Sequence, residues 1–347
     1  MRAVIKSHPT PGIEVRTDWP DPKPGPGEVL VKVAAASLCG TDRELHEWTA
    51  SAQAFNLAPP VVLGHEGSGT VTAVGDGVGS IAIGDRVALE SHLICGTCYP
   101  CRTGSAHTCE RTRILGMHID GVFAEYVVVP EGICVRLPDS VSLETGALLE
   151  SAGVAMHAVQ RSGTAVAGQN VLVNGCGPVG LVIAEIAITM GAAHVVAVEP
   201  NPFRRKQAES RGVQVLDPSE DVVGLCRDIA GRRGGFDVAF EVSGVRGVLP
   251  VLFEALRREA TLVTVGHPSE PAPIDIATHV NKKGVTLRGI FGRRLWDTWE
   301  QLLLLVESGR LDLEWLVTHR LSLEEAESAL ELLTGDAGKV LLVPDLR

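Results

Sequence analysis

The sequence predicts an α/β protein in which an irregular β-rich region precedes a doubly wound parallel sheet. Three observations carry that expectation. Short β-like runs at Val29 to Ala34, Gly69 to Val74 and Phe123 to Val129 are separated by turns rich in glycine and proline. From about Asn170 strand and helix candidates alternate, at Val171 to Asn174, Leu181 to Met190, His194 to Val198 and Phe203 to Arg211. That order requires helical crossovers between parallel strands, and Phe236 to Glu241 and Thr261 to Val265 extend the series. The end of the chain returns to a helix at Leu323 to Leu333, with Ser322 as N-cap, and a strand at Lys339 to Val343 that could rejoin the first region.

The composition suits two ordinary domains: 347 residues, 45% hydrophobic and 21% charged. A formal charge of −11 with no basic run argues against nucleic-acid binding, which needs clustered cations. The most apolar segment, Gly180 to Val198, contains Glu185 and His194 and reads as a helix followed by a strand, so no membrane association is expected. Of eight cysteines four are clustered, while Cys39, Cys134, Cys176 and Cys226 are scattered, which favours a reducing cytoplasm over secretion.

Val171-Leu172-Val173-Asn174 runs into Gly175-Cys176-Gly177-Pro178-Val179-Gly180, followed by an apolar helix candidate. Strand, glycine turn and helix in this order let backbone N–H groups and a helix N-terminus face a pyrophosphate. Glu199 ends the next strand, where an acid can accept hydrogen bonds from ribose hydroxyls. This favours NAD, although Arg204 and Arg205 leave a ribose 2′-phosphate open.

Cys95, Cys98, Cys101 and Cys109 form a C-x2-C-x2-C-x7-C cluster able to close a tetrahedral zinc shell of the structural kind. Cys39-Gly40-Thr41-Asp42, Gly64-His65-Glu66 and Glu150 offer thiolate, imidazole and carboxylate, a set that could hold a second, open zinc if the fold brings them together. The bland alternative is a buried cysteine and a core histidine. At an open site a metal would polarise an alcohol oxygen, and Thr41 is the first candidate for the proton's path.

These residues resemble the zinc-dependent medium-chain alcohol dehydrogenase superfamily over nearly the whole chain. Cys39 to Asp42 with Trp48, Glu90-Ser91-His92, the cysteine lobe, Asp120 to Tyr126 and Gly292 to Trp299 look most like its threonine-oxidising branch. The resemblance implies a GroES-like zinc-binding catalytic domain over residues 1–150, a Rossmann NAD-binding domain over 151–290 and a return to the catalytic domain over 291–347. It further implies an active-site cleft between the domains and a homotetramer. Cys39, His65 and Glu66 would hold catalytic zinc, with Glu150 an exchanging ligand, and the four lobe cysteines structural zinc. Beside Gly175, Gly177, Pro178 and Gly180, residues Val179, Glu199, Arg204, Val265, Gly266, His267, Ile290 and Phe291 would contact NAD.

The expected reaction is oxidation of a small-molecule secondary alcohol to a ketone with hydride transfer to NAD. L-Threonine or a related amino alcohol leads; a polyol, sugar or cyclitol is the alternative within the superfamily, and a noncatalytic dinucleotide sensor the alternative outside it. Two departures bear on substrate. Glu44 stands where the threonine-oxidising members carry a histidine, and is a carboxylate base, a contact for a cationic substrate or an exposed helix charge. His46 would compensate only with a different backbone. Glu150-Ser151-Ala152-Gly153-Val154-Ala155 replaces the family's proline and asparagine by Ser151 and Val154. His92 either shapes specificity near the metal or is structural.

Overall fold

The computed structural model describes residues 1–163, 165–268 and 270–346. They form two units, Met1–Ser151 with Arg294–Arg347, and Ala152–Arg293. Among the described residues no helix is long and apolar enough to cross a membrane.

The Glu28–Ser37 strand organises the first unit. Val29, Val31, Val33 and Ala35 are buried while the residues between them are half-buried, the two-residue period of a strand with one face on a core. Each fully buried valine contributes roughly 1.5–3 kcal/mol. This strand pairs antiparallel with Glu66–Val74, setting Ser37 opposite Glu66, and at its start with Tyr126–Pro130. At its end it takes the C-terminal strand Lys339–Leu342, with Leu341 opposite Ser37. These registers deliver Lys339 and Glu66, which are remote in sequence, to one place.

Gly64, which precedes His65, has φ +92, and a Cβ there would lie 2.4 Å from the Phe123 ring, so only glycine fits this turn. The Gly40–Glu47 helix ends at Trp48 in the left-handed region, and the buried Lys6 ammonium donates to the Leu45 carbonyl at 2.6 Å and the His46 carbonyl at 3.4 Å. A cation at the C-terminal carbonyls steadies the helix that carries Thr41 and Glu44.

The second unit is a six-stranded sheet in the order Gln214–Leu216, His194–Val198, Asn170–Asn174, Phe236–Glu241, Leu256–Thr264 and Thr286–Gly289. Every pairing is parallel. The two central strands are buried throughout, as strands covered on both faces must be. Numbered along this unit the order is 3-2-1-4-5-6, which places a crevice at the C-terminal ends of its two central strands.

Several elements differ from expectation. The run at Phe123 becomes a strand only at Tyr126, because Val122 and Phe123 bond instead to the backbone of Gly64 and Leu63. The strand expected from Thr261 begins at Leu256; its charged Arg257-Arg258-Glu259 stretch conceals it. The predicted Leu323 helix divides into a 3-10 turn, Leu323–Glu325, and an α-helix, Ala326–Leu332, with Ser322 and Glu325 forming a capping box. A 19-residue helix, Leu143–Arg161, carries Glu150 and was not anticipated.

Candidate active site

The four lobe cysteines place their sulfurs within 4.8 Å of one another. Cys98 lies 3.4 Å from Cys101 and 3.8 Å from Cys109, and Cys95 lies 4.0 Å from Cys101. A disulfide would require about 2.05 Å, whereas four thiolates about 2.3 Å from a zinc lie about 3.8 Å apart. The cluster fits zinc. The Cys95 sulfur accepts the backbone N–H of Thr97 at 3.5 Å and of Cys98 at 3.3 Å, and the Arg111 guanidinium at 3.2 Å. The Thr97 N–H, with Arg111 and Cys98, holds the Cys95 thiol down at about 5.

The second cluster comes from three elements. Cys39 caps the Gly40–Glu47 helix, His65 follows the Gly64 turn, and Glu66 opens the Glu66–Val74 strand; their ligand atoms lie within 4.8 Å of one another. Asp42, fully buried, ties two of them together: one oxygen accepts the Cys39 N–H at 2.8 Å and the other lies 3.3 Å from His65 Nδ1. With Nδ1 turned to a carboxylate, Nε2 is the nitrogen suited to a metal. Burial opposes a charge on His65, but Asp42 and Cys39 outweigh it and hold the imidazole well above its ordinary range.

Glu66 and Lys339 form a buried ion pair through Glu66 Oε2, and Lys339 also donates to the Leu38 carbonyl at 3.4 Å. Ser151 Oγ donates to the same Glu66 oxygen at 3.4 Å. Burial raises the Glu66 carboxyl, Lys339 counters it, and the Glu150 charge adds to the rise. Glu66 Oε1 is buried without a hydrogen-bond partner. An orphaned carboxylate oxygen beside a thiol and an imidazole is a donor set that zinc satisfies.

Glu150 sits next to this set and outside it. Its Oε1 accepts the Ser91 hydroxyl at 2.6 Å, and its oxygens are not among the mutually close ligand atoms. Thr41 Oγ1 lies 3.8 Å from the Cys39 sulfur. Glu44 lies three residues further along the same helix, and so on the same face. His46 Nε2 lies 2.6 Å from Glu327 Oε1, so the ring is turned to that carboxylate and does not substitute for the missing relay histidine. His92 Nδ1 lies 3.2 Å from Glu90, whose other oxygen accepts the Trp299 indole N–H at 2.7 Å.

The nucleotide-side candidates gather at the C-terminal ends of the second unit's strands. Gly175 has φ +103, and a Cβ on Gly180 would lie 1.9 Å from the Gly175 carbonyl, so strand and helix meet only through glycine. Gly177 faces open space at the N-cap of the Pro178–Thr189 helix, and Val179 is half-buried in its first turn. This is an anion cradle. Glu199 is buried, its oxygens accepting the N–H of Cys176 at 2.7 Å and of Asn201 at 2.9 Å. Arg204 lies in the first turn of the Pro202–Ser210 helix with its Nε buried and unpartnered. Val265 and Gly266 both donate to the Glu241 carbonyl and lead into His267, and Ile290 donates to the Thr264 carbonyl, followed by a half-exposed Phe291.

Sequence reasoning gave no role to Asp42, Lys339, Glu90 or Trp299. Asp42 carried a signal in its spacing, three residues past Cys39, where a side chain reaches back to the N-cap. Lys339 carried a weaker one, a charge opening an apolar strand. Glu90 and Trp299 lie 209 residues apart and no local pattern connects them.

The comparisons agree with this geometry. Residues 25–139 match the alcohol dehydrogenase GroES-like domain and residues 178–308 the zinc-binding dehydrogenase domain. The chain is 40% identical to the L-threonine 3-dehydrogenase of Pyrococcus abyssi, covering 99% of this chain and 98% of that one. It is also 40% identical to the L-threonine 3-dehydrogenase of Symbiobacterium thermophilum, over 100% and 99%. The crystal structure of 2R,3R-butanediol dehydrogenase from Bacillus subtilis superposes with a TM-score of 0.90 at 33% identity, covering 99% of each chain. The chain therefore belongs to the zinc-binding alcohol dehydrogenase family and is an NAD-dependent oxidoreductase acting on alcohols.

Proposed function

We propose that the chain oxidises L-threonine, or a closely related amino alcohol, at its secondary hydroxyl to give the corresponding ketone. The observation that carries this reading is the convergence of Cys39, His65 and Glu66 within 4.8 Å, in a chain whose full-length relatives are threonine dehydrogenases. Cys39, His65 and Glu66 hold the catalytic zinc, which supplies Lewis acidity to the substrate oxygen. The lobe cysteines hold the structural zinc. NAD supplies the hydride acceptor.

The rest of the work falls to the chain's own groups. Asp42 orients the ligating imidazole and Cys39 together, and Lys339 opposes the rise that burial imposes on the Glu66 carboxyl and holds it in place. Thr41 receives the proton of the substrate hydroxyl, and Glu44, on the same helix face, passes it to solvent in place of the family's histidine. His92 sits against the substrate's polar groups. Gly175, Gly177, Pro178, Val179 and Gly180 cradle the pyrophosphate, and Glu199 takes the ribose hydroxyls and disfavours a 2′-phosphate. Arg204, Val265, Gly266, His267, Ile290 and Phe291 complete the cofactor contacts. The catalytic domain spans residues 1–150 with 291–347 and the NAD domain 151–290, in a cytoplasmic homotetramer.

The test is an NADH-forming screen of zinc-replete protein against L-threonine, other amino alcohols, polyols and cyclitols. Turnover highest on L-threonine or a near relative is expected. Preference for an amine-free polyol overturns the substrate, and silence across the panel in both directions overturns the reading.

A further inference from the structure

Glu90 is a carboxylate with no exposed surface that the mechanism above does not use, and it joins two elements remote in sequence. Its Oε2 accepts the Trp299 indole N–H at 2.7 Å. Its Oε1 accepts the His92 backbone N–H at 2.8 Å and lies 3.2 Å from His92 Nδ1. Trp299, on the Asp297–Glu307 helix, is 1% exposed and its N–H can only donate. The residue between the two, Ser91, donates to Glu150, whose charge acts on Glu66. The Glu90-Ser91-His92 segment is therefore fastened at one end to the Asp297–Glu307 helix and in its middle to Glu150, beside the metal-ligand cluster.

We propose that Trp299 and Glu90 are positioning residues that set the tautomer and direction of His92, and through it the recognition of the amino-alcohol substrate; this rests on the reading given above. A carboxylate on Nδ1 keeps the proton on that nitrogen, so Nε2 is an acceptor. An acceptor of this kind suits the protonated amine of the substrate and gives little to an alcohol without one. With its Oε2 accepting the Trp299 N–H, Glu90 presents Oε1 to the His92 backbone and ring together. Glu90 accepts the Trp299 N–H on one oxygen and faces His92 with the other, and an amide has one oxygen, so glutamine can accept on one of these sides alone.

The experiment compares wild type, Trp299→Phe, Glu90→Gln, His92→Ala and the Trp299→Phe/His92→Ala double variant as zinc-replete holoenzymes. Steady-state kinetics are measured with L-threonine and with 3-hydroxybutyrate, which keeps the secondary alcohol and carboxylate and lacks the amine. Trp299→Phe and Glu90→Gln are expected to raise KM for L-threonine about 10-fold, with kcat within about 3-fold and zinc content unchanged. The two-alcohol comparison should shrink to little or no effect on 3-hydroxybutyrate, and in the His92→Ala background Trp299→Phe should change nothing further. An equal penalty on both alcohols, or a full penalty without His92, shows that Trp299 serves the fold alone and overturns the proposal. Labelling with [15N]histidine gives a reading independent of turnover: Nδ1 protonated in wild type and a tautomer mixture in Trp299→Phe. An Nε2-protonated wild type overturns the positioning claim. A wild type inactive on both alcohols with Nδ1 protonated overturns the substrate reading and the recognition role with it, and supports the positioning alone.

Discussion

The two metal-ligand clusters of the first unit share thiols and differ in nearly everything else. The lobe draws four like ligands from residues 95–109, and its sulfurs are steadied by backbone N–H groups and one exposed arginine. The other cluster draws three unlike ligands from a helix cap, a turn and a strand, and steadies them with buried charges, Asp42 on one side and Lys339 on the other. A local shell of four thiolates is complete and leaves nothing to exchange. A shell of three donors assembled by sheet register has room for substrate, and charged supports accompany it because His65 and Glu66 lie inside the protein.

Breaking the support should therefore harm one cluster and spare the other. Lys339→Met leaves Glu66 buried without its cation, and removing one partner of a buried pair costs about 3–5 kcal/mol. Thermal or urea denaturation should register a loss of that order. Metal analysis should find zinc lost from the Cys39 cluster and kept in the lobe. A Lys339→Met protein with unchanged stability and full zinc would show that the pair is incidental.

Removing the proton path should cost less and leave both metals alone. Thr41→Ala is expected to lower kcat on the order of 10²-fold, the lower end for a positioned proton-transfer group, while Thr41→Ser keeps most of the activity. An unchanged kcat in Thr41→Ala would move the proton elsewhere, with Glu44 the next group to test.

The legibility of these parts follows from how local they are. The lobe and the strand-glycine-helix turn of the second unit could be read directly, since each is one continuous segment whose spacing dictates its geometry. Cys39, His65 and Glu66 could be named as candidates, but their meeting depends on the Ser37–Glu66 register, which no spacing encodes. Lys339 was out of reach, since it arrives from 273 residues away on a strand that pairs through Leu341 and Ser37. Glu150 is a candidate from its ligand type and, by the resemblance, an exchanging ligand; on the Leu143–Arg161 helix its Oε1 accepts the Ser91 hydroxyl.

The smallest expected effect belongs to the lobe and depends on pH. Cys95 falls from 9.0 to about 5, so its thiolate favours the folded lobe fully above pH 9 and that contribution is lost as pH falls through about 5. In zinc-stripped protein, iodoacetamide should label Cys95 steadily down to about pH 6 and slow below about 5, read by peptide mass spectrometry. Cys101, pushed up to about 12 by burial and its thiol neighbours, should stay unlabelled across that range. Arg111→Ala should move the Cys95 midpoint upward while turnover of the zinc-loaded enzyme is unchanged.

The division of labour between the clusters is tested most directly by Cys39→Ser, assayed for NADH formation and for zinc per chain. The expected result is loss of turnover by roughly 10³-fold or more, with the lobe zinc retained and the Cys39-cluster zinc gone. Turnover near wild type with the Cys39-cluster zinc absent would contradict the account, because the chemistry would then lie outside the three residues that the fold brings together.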